Sequence, residues 1–132
     1  MQARDAVLVG LLLFFSQFVY SGIDKVRFFP KKVKTLRAKT GLGAALARAG
    51  IAGAVVLEIL GSLLVLACFA QKARGGCALP GALELLGRAA LGGFLVFVVA
   101  ATAIYHPPGR KMIPFMSNVS VLGAFVVLLA IL

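Results

Sequence analysis

Glu58 stands in the middle of residues 49–70, a stretch that carries no other charge and is long enough to cross a bilayer. A carboxylate in hydrocarbon costs several kcal/mol unless it is protonated, paired or hydrated. Three roles are open to it: a hydrogen-bonded tie between helices, a ligand, proton or quinone contact, and a contact to a partner subunit. Its partners must come from other polar residues on apolar segments. Gln17, Ser21 and Lys25 are spaced four apart and share one helix face. Glu58 and Ser62 have the same spacing, with Gly61 beside them, and so do Thr102 and His106. Ser117 and Asn118 open the last apolar run. Glu58 lies about 13 Å along a helix counted from Ala49. A direct pair with Lys25 therefore needs Lys25 to reach inward or the helices to be staggered, whereas Gln17, Tyr20 and Ser21 are closer in depth.

The chain offers little other chemistry. One histidine cannot supply bis-histidine haem ligation, and no His/Cys/carboxylate set has metal-ligand spacing. No nucleophile–base pair or phosphate-binding loop is apparent. Cys68 and Cys77 flank one connection, and a disulfide between them and two unpaired small residues are equally good readings. No Cys-x-x-Cys occurs.

The elements that position these residues are set by composition. The 132 residues are 61% hydrophobic and 14% charged, against roughly 25% charged in soluble domains. The apolar residues gather into four runs, about 6–23, 49–70, 81–105 and 113–132. Each is near the length of a spanning helix, and β-barrel alternation is absent. The fold expected is all-α, a single integral-membrane four-helix bundle with no soluble domain. The N-terminal run resembles a signal peptide but is long for one and lacks a small-x-small cleavage site, so it is read as the first membrane helix. In the 24–48 connection, Phe28-Phe29-Pro30 reads as an interface anchor followed by a break. Residues 33–48 then mix basic and apolar positions, as a short interfacial helix does, with Thr40-Gly41 as its point of interruption. Glu84 and Arg88 are spaced for a surface ion pair. Gly50, Gly53, Gly61, Gly92 and Gly93 favour close helix approach.

The net charge of +10 is uneven. The 24–48 connection carries Lys25, Arg27, Lys31, Lys32, Lys34, Arg37, Lys39 and Arg48, and Arg110 and Lys111 lie in the connection before the last run. That is ten basic residues on one face, against Arg4, Lys72, Arg74 and Arg88 on the other. The positive-inside rule then puts the basic connections in cytoplasm, matrix or stroma and both termini on the opposite side. Orientation accounts for this charge without nucleic acid. Lys31, Lys32, Lys34, Arg37 and Lys39 are the candidates for docking anionic lipid or an acidic subunit.

Four pieces of the sequence also resemble one family. Phe18-Val-Tyr-Ser-Gly-Ile-Asp-Lys25 resembles the end of the first helix in the DoxX-like family, and Val56-Leu-Glu-Ile-Leu-Gly-Ser-Leu-Leu-Val-Leu66 its second helix. Ala101-Thr-Ala-Ile-Tyr-His106 is similar to the end of its third, and Asn118 with Val121-Leu-Gly-Ala124 to the start of its fourth. The resemblance implies a four-helix membrane bundle and carries over Lys25, Glu58, His106 and Asn118 as family-like polar positions. It implies no single reaction, since members include subunits of quinone-linked oxidoreductases, redox-stress components and, more distantly, cargo receptors or assembly chaperones. The long basic connection and the His-Pro-Pro-Gly break depart from many members.

The expected function is a non-catalytic accessory subunit of a larger membrane complex, respiratory or photosynthetic, in an organelle inner membrane rather than the plasma membrane. Its partners would be membrane lipids and other membrane subunits. No resident cofactor is expected, although quinone or bound lipid fits the polar positions. The alternatives are a subunit of a quinone-linked oxidoreductase, with Glu58 and His106 handling protons, and a membrane chaperone or cargo receptor. The sequence ends without a dilysine retrieval signal, which disfavours an ER-cycling receptor.

Overall fold

Long apolar segments in lipid must satisfy their own backbone groups, and helices do this within one segment. The computed structural model of the protein describes residues 2–74, 81–106, 109 and 112–132. Among these the chain is all-α. Helix α1 is Ala3–Arg27, α2 is Phe29–Thr40, α3 is Ala44–Ala73, α4 is Gly81–Tyr105 and α5 is Met112–Ile131. Helices α1, α3, α4 and α5 are each long and apolar enough to cross a membrane, and together they form a four-helix bundle. The protein is an integral, multi-pass membrane protein.

Local chemistry sets the helix ends. Asp5 and Gln2 form a capping box at the start of α1, where the Gln2 backbone N–H donates to Asp5 Oδ2 at 3.1 Å. Pro30 does not simply end α1. It occupies the first turn of α2, where a missing N–H leaves no hydrogen bond unmade. The interfacial helix therefore begins at Phe29 rather than Val33. It ends at Thr40 because Gly41 takes a left-handed conformation, φ 72°, and its N–H returns to the Arg37 carbonyl at 2.8 Å. Residues 44–48, expected in the connection, instead form the first turns of α3.

This early start of α3 shifts the level of Glu58 relative to α1. Ala47 and Ile51 pack beneath Val33 and Leu36 of α2, with Ile104 and Tyr105 of α4 against the same cluster. The first two turns of α3 thus belong to the layer under α2. Glu58, further along α3, is level with the end of α1, and this is the stagger that a Lys25 contact needs.

The helices pack in sequence order, α1 on α3, α3 on α4 and α4 on α5. The ring closes through aromatic side chains. Phe14 and Phe18 of α1 each stand 5.4 Å from the ring of Phe125 on α5. Phe94 of α4 stacks on Phe125 at 5.0 Å with 10° between planes. Phe15, Phe94 and Phe125 are fully buried. Outward positions such as Leu13, Val96 and Ile113 are large, apolar and exposed, as lipid-facing side chains are.

One glycine sets the distance between α1 and α3. A Cβ on Gly22 would lie 2.6 Å from Ile59 Cγ1 and 3.3 Å from Glu58 Cβ. Gly10, on the same helix, has nothing within 4 Å of such an atom. Gly22→Val is expected to destabilise the bundle by about 1–3 kcal/mol, read as a lowered unfolding temperature in detergent. Gly10→Ala is expected to leave that temperature within the error of the measurement.

Candidate functional site: a charged pair beneath a polar cleft

The segment Leu57–Gly61 of α3 winds as a single π-helical turn, and Glu58 lies on it. Such turns interrupt the regular ladder and occur often at functional positions. Gly61 closes the turn, with the Phe94 ring 3.2 Å from where its Cβ would be. Ser62 donates its hydroxyl to the Glu58 backbone carbonyl, occupying an acceptor in the disturbed ladder. Ser62 is therefore buried against its own helix and does not face the polar cleft.

The Glu58 side chain is 2% exposed and turns toward α1. Lys25 Nζ lies 3.0 Å from both carboxylate oxygens and donates at 2.7 Å to Ser21 Oγ. Ser21 in turn donates to Glu58 Oε1 at 3.1 Å. All three ammonium hydrogens thus have an acceptor, and one carboxylate oxygen receives two donors. The Phe97 ring of α4 covers the ammonium at 5.8 Å to its centroid. A charged residue in an apolar setting is tolerable when it is both neutralised and hydrogen-bonded, and this pair is both. The four-residue spacing of Ser21 and Lys25 puts both on the face that meets the π turn.

A second tie holds the other half of the bundle. Asn118 of α5 donates its amide to Thr102 Oγ1 at 2.9 Å, and Thr102 donates to the Val98 carbonyl of its own helix at 2.6 Å. Ser117 is exposed and takes no part in this tie.

Between the two ties lies a cleft of about 900 Å³, open at the end of the bundle that α2 crosses. Gln17, Ser21, Lys25, Glu58, His106 and Asn118 line it, together with Lys31 and Lys32 of α2. Of the expected polar set, the cleft omits Ser62 and Thr102, whose hydroxyls are occupied within their own helices. Gln17 sits on its lip, exposed, and Tyr20 points away from the bundle. His106 Nδ1 is buried and has no hydrogen-bond partner among the described residues. Lys32 pairs with Asp24 at 3.0 Å, an interaction between α2 and α1 that spacing alone does not reveal. The basic residues of α2 divide accordingly. Lys31 and Lys32 face the cleft, Lys39 lies over the Tyr105 ring at 5.5 Å, and Lys34 and Arg37 project outward.

At the opposite end, Lys72 donates to the carbonyls of Ile131 and Leu132 at 2.7 and 2.9 Å, and Glu84 pairs with Arg88 at 3.0 Å. Cys68 is buried, with its thiol 3.3 Å from the Leu83 carbonyl, and Cys77 lies outside the described residues. No group of three His, Cys, Asp or Glu side chains with metal-binding geometry occurs among the described residues.

The Asn118–Thr102 bond joins α4 to α5 inside the bundle. Asn118→Leu is expected to cost about 0.5–1 kcal/mol, the usual worth of one interhelical hydrogen bond in a membrane protein. Thermal unfolding in detergent, with Ser117→Ala as the exposed control, measures it.

Comparison with known proteins leaves the reading to the geometry: no family model matches the chain, and no curated protein or solved structure matches it.

Proposed function

We propose that this protein is a non-catalytic accessory subunit of a larger membrane complex, respiratory or photosynthetic, in an organelle inner membrane. The observation that carries the proposal is the use made of the membrane-embedded polar groups. Lys25, Ser21 and Glu58 direct their hydrogen bonds at one another, and Asn118 and Thr102 do the same. These groups fix helix register rather than being held ready for a reaction. The outward basic residues of α2, Lys34 and Arg37, are free to engage acidic partner surfaces or headgroups. The resemblance of the four helix segments to the DoxX-like family is compatible with this role. The charge asymmetry favours the basic face in cytoplasm, matrix or stroma, with both termini opposite.

One observation favours a second reading. His106 Nδ1, beside the cleft and without a partner among the described residues, is a group that a quinone-linked oxidoreductase subunit could use to handle a proton. The two readings differ over Glu58→Gln. In an accessory subunit, native purification in mild detergent followed by mass spectrometry recovers a stoichiometric partner set with the native chain and loses it with the variant. In a quinone-linked subunit, the variant assembles normally and slows turnover. Migration of the native chain alone would sink the accessory reading.

A further inference from the structure

The cleft has an unequal distribution of charge and grease. Lys25 is answered by Glu58 and Lys32 by Asp24. Lys31, at the mouth, has no acidic partner among the described residues. The opening therefore keeps a positive charge. His106 Nδ1 adds a buried polar atom without a partner among the described residues, and such atoms in folded proteins are nearly always hydrogen-bonded. The remaining walls are largely apolar, with Ile51, Ala54, Phe97 and Val121 among them. The volume of about 900 Å³ is that of a ligand site rather than a packing defect.

The position of the cleft narrows the ligand. It opens under α2, an amphipathic helix with Phe28 exposed at its start, which is the level of the headgroups. Helices α1 and α5 meet through Phe14 and Phe18 against Phe125, and each also lends a polar side chain to the cleft, exposed Gln17 and half-buried Asn118. A soluble anion has no use for the apolar walls, and a neutral amphipath has no use for Lys31.

We propose that the cleft is a binding site for one anionic phospholipid from the leaflet on the basic side. Its phosphate lies against Lys31, a headgroup or phosphate oxygen accepts from His106 in its Nδ1-protonated form, and the upper acyl chain lies along Phe97 and Val121. The site belongs to the isolated chain and does not depend on the accessory role.

The test uses the full chain purified in a non-ionic detergent. Native mass spectrometry titrates phosphatidylglycerol against phosphatidylcholine of the same acyl chains, with oleate and ubiquinone as further probes. One phosphatidylglycerol is expected to bind per chain, about tenfold more tightly than phosphatidylcholine. Lys31→Glu is expected to reduce that binding at least about fivefold, the equivalent of the roughly 1 kcal/mol that each basic residue contributes near anionic headgroups. Arg48→Glu makes the same charge change on the same face, at an exposed position outside the cleft, and is expected to change binding less than twofold. Val121→Phe fills the cleft without altering charge and is expected to weaken both lipids; should it unfold, Ala101→Val replaces it. Equal affinity for the two phospholipids would overturn the proposal. So would equal losses from Arg48→Glu and Lys31→Glu, which would mean diffuse attraction to a basic surface. Displacement of phosphatidylglycerol by equimolar oleate or ubiquinone would also overturn it, assigning the cleft to a fatty acid or a quinone.

Discussion

Two opposite charges inside an apolar bundle constrain everything around them. Glu58 is not tolerable there alone, because an unanswered charge away from water costs several kcal/mol, and Lys25 on the cleft wall is the cation that answers it. Held together at 3.0 Å, with Ser21 filling the remaining position, they become a neutral, hydrogen-bonded unit. That unit fixes α1 against α3 in one axial register. A shift of one helical turn, about 5.4 Å, would strand both charges.

Three other features make the pair reachable. Gly22 removes the side chain that would hold α1 away from Ile59 and Glu58. The π turn at Leu57–Gly61 carries Glu58, whose side chain meets Ser21 and Lys25 of α1, and Ser62 donates to the Glu58 carbonyl. The first turns of α3 pack under α2 through Ala47 and Ile51, which brings Glu58 level with the end of α1. On the far side the aromatic cluster of Phe14, Phe15, Phe18, Phe94 and Phe125 fills the bundle. The cleft is what remains between the aromatic cluster and the layer of α2, so its polar lip and apolar walls follow from the same arrangement.

The fold class was legible in the sequence because bilayer physics leaves few choices: four apolar runs of spanning length can only be helices. The polar positions were legible because charges and amides in such runs stand out. Their pairing was not. The apolar run starts at Ala49, whereas the helix begins at Ala44 and its first turns serve α2. Apolar composition marks where lipid begins, not where a helix begins, and that difference decides whether Lys25 can reach Glu58. Ser62 was misleading for a related reason: the four-residue spacing to Glu58 that suggested a shared face instead allowed its hydroxyl to bond back to the Glu58 carbonyl. The Lys32–Asp24 pair depends on where Pro30 turns the chain, which no periodicity encodes.

An accessory role and a lipid-holding cleft draw on different parts of this molecule, the first on its rigid internal ties and the second on the charge left over at Lys31. Both require that Lys25 and Glu58 act on each other rather than on a ligand. A double-mutant cycle on thermal unfolding in lipid nanodiscs, with Lys25→Met, Glu58→Gln and the double variant, measures that coupling directly. A pair that holds α1 to α3 predicts a coupling energy of about 1–3 kcal/mol, with the double variant much less destabilised than the sum of the singles. Additivity within about 0.3–0.5 kcal/mol would mean that the two charges do not hold the helices together, and the account built on them would fail.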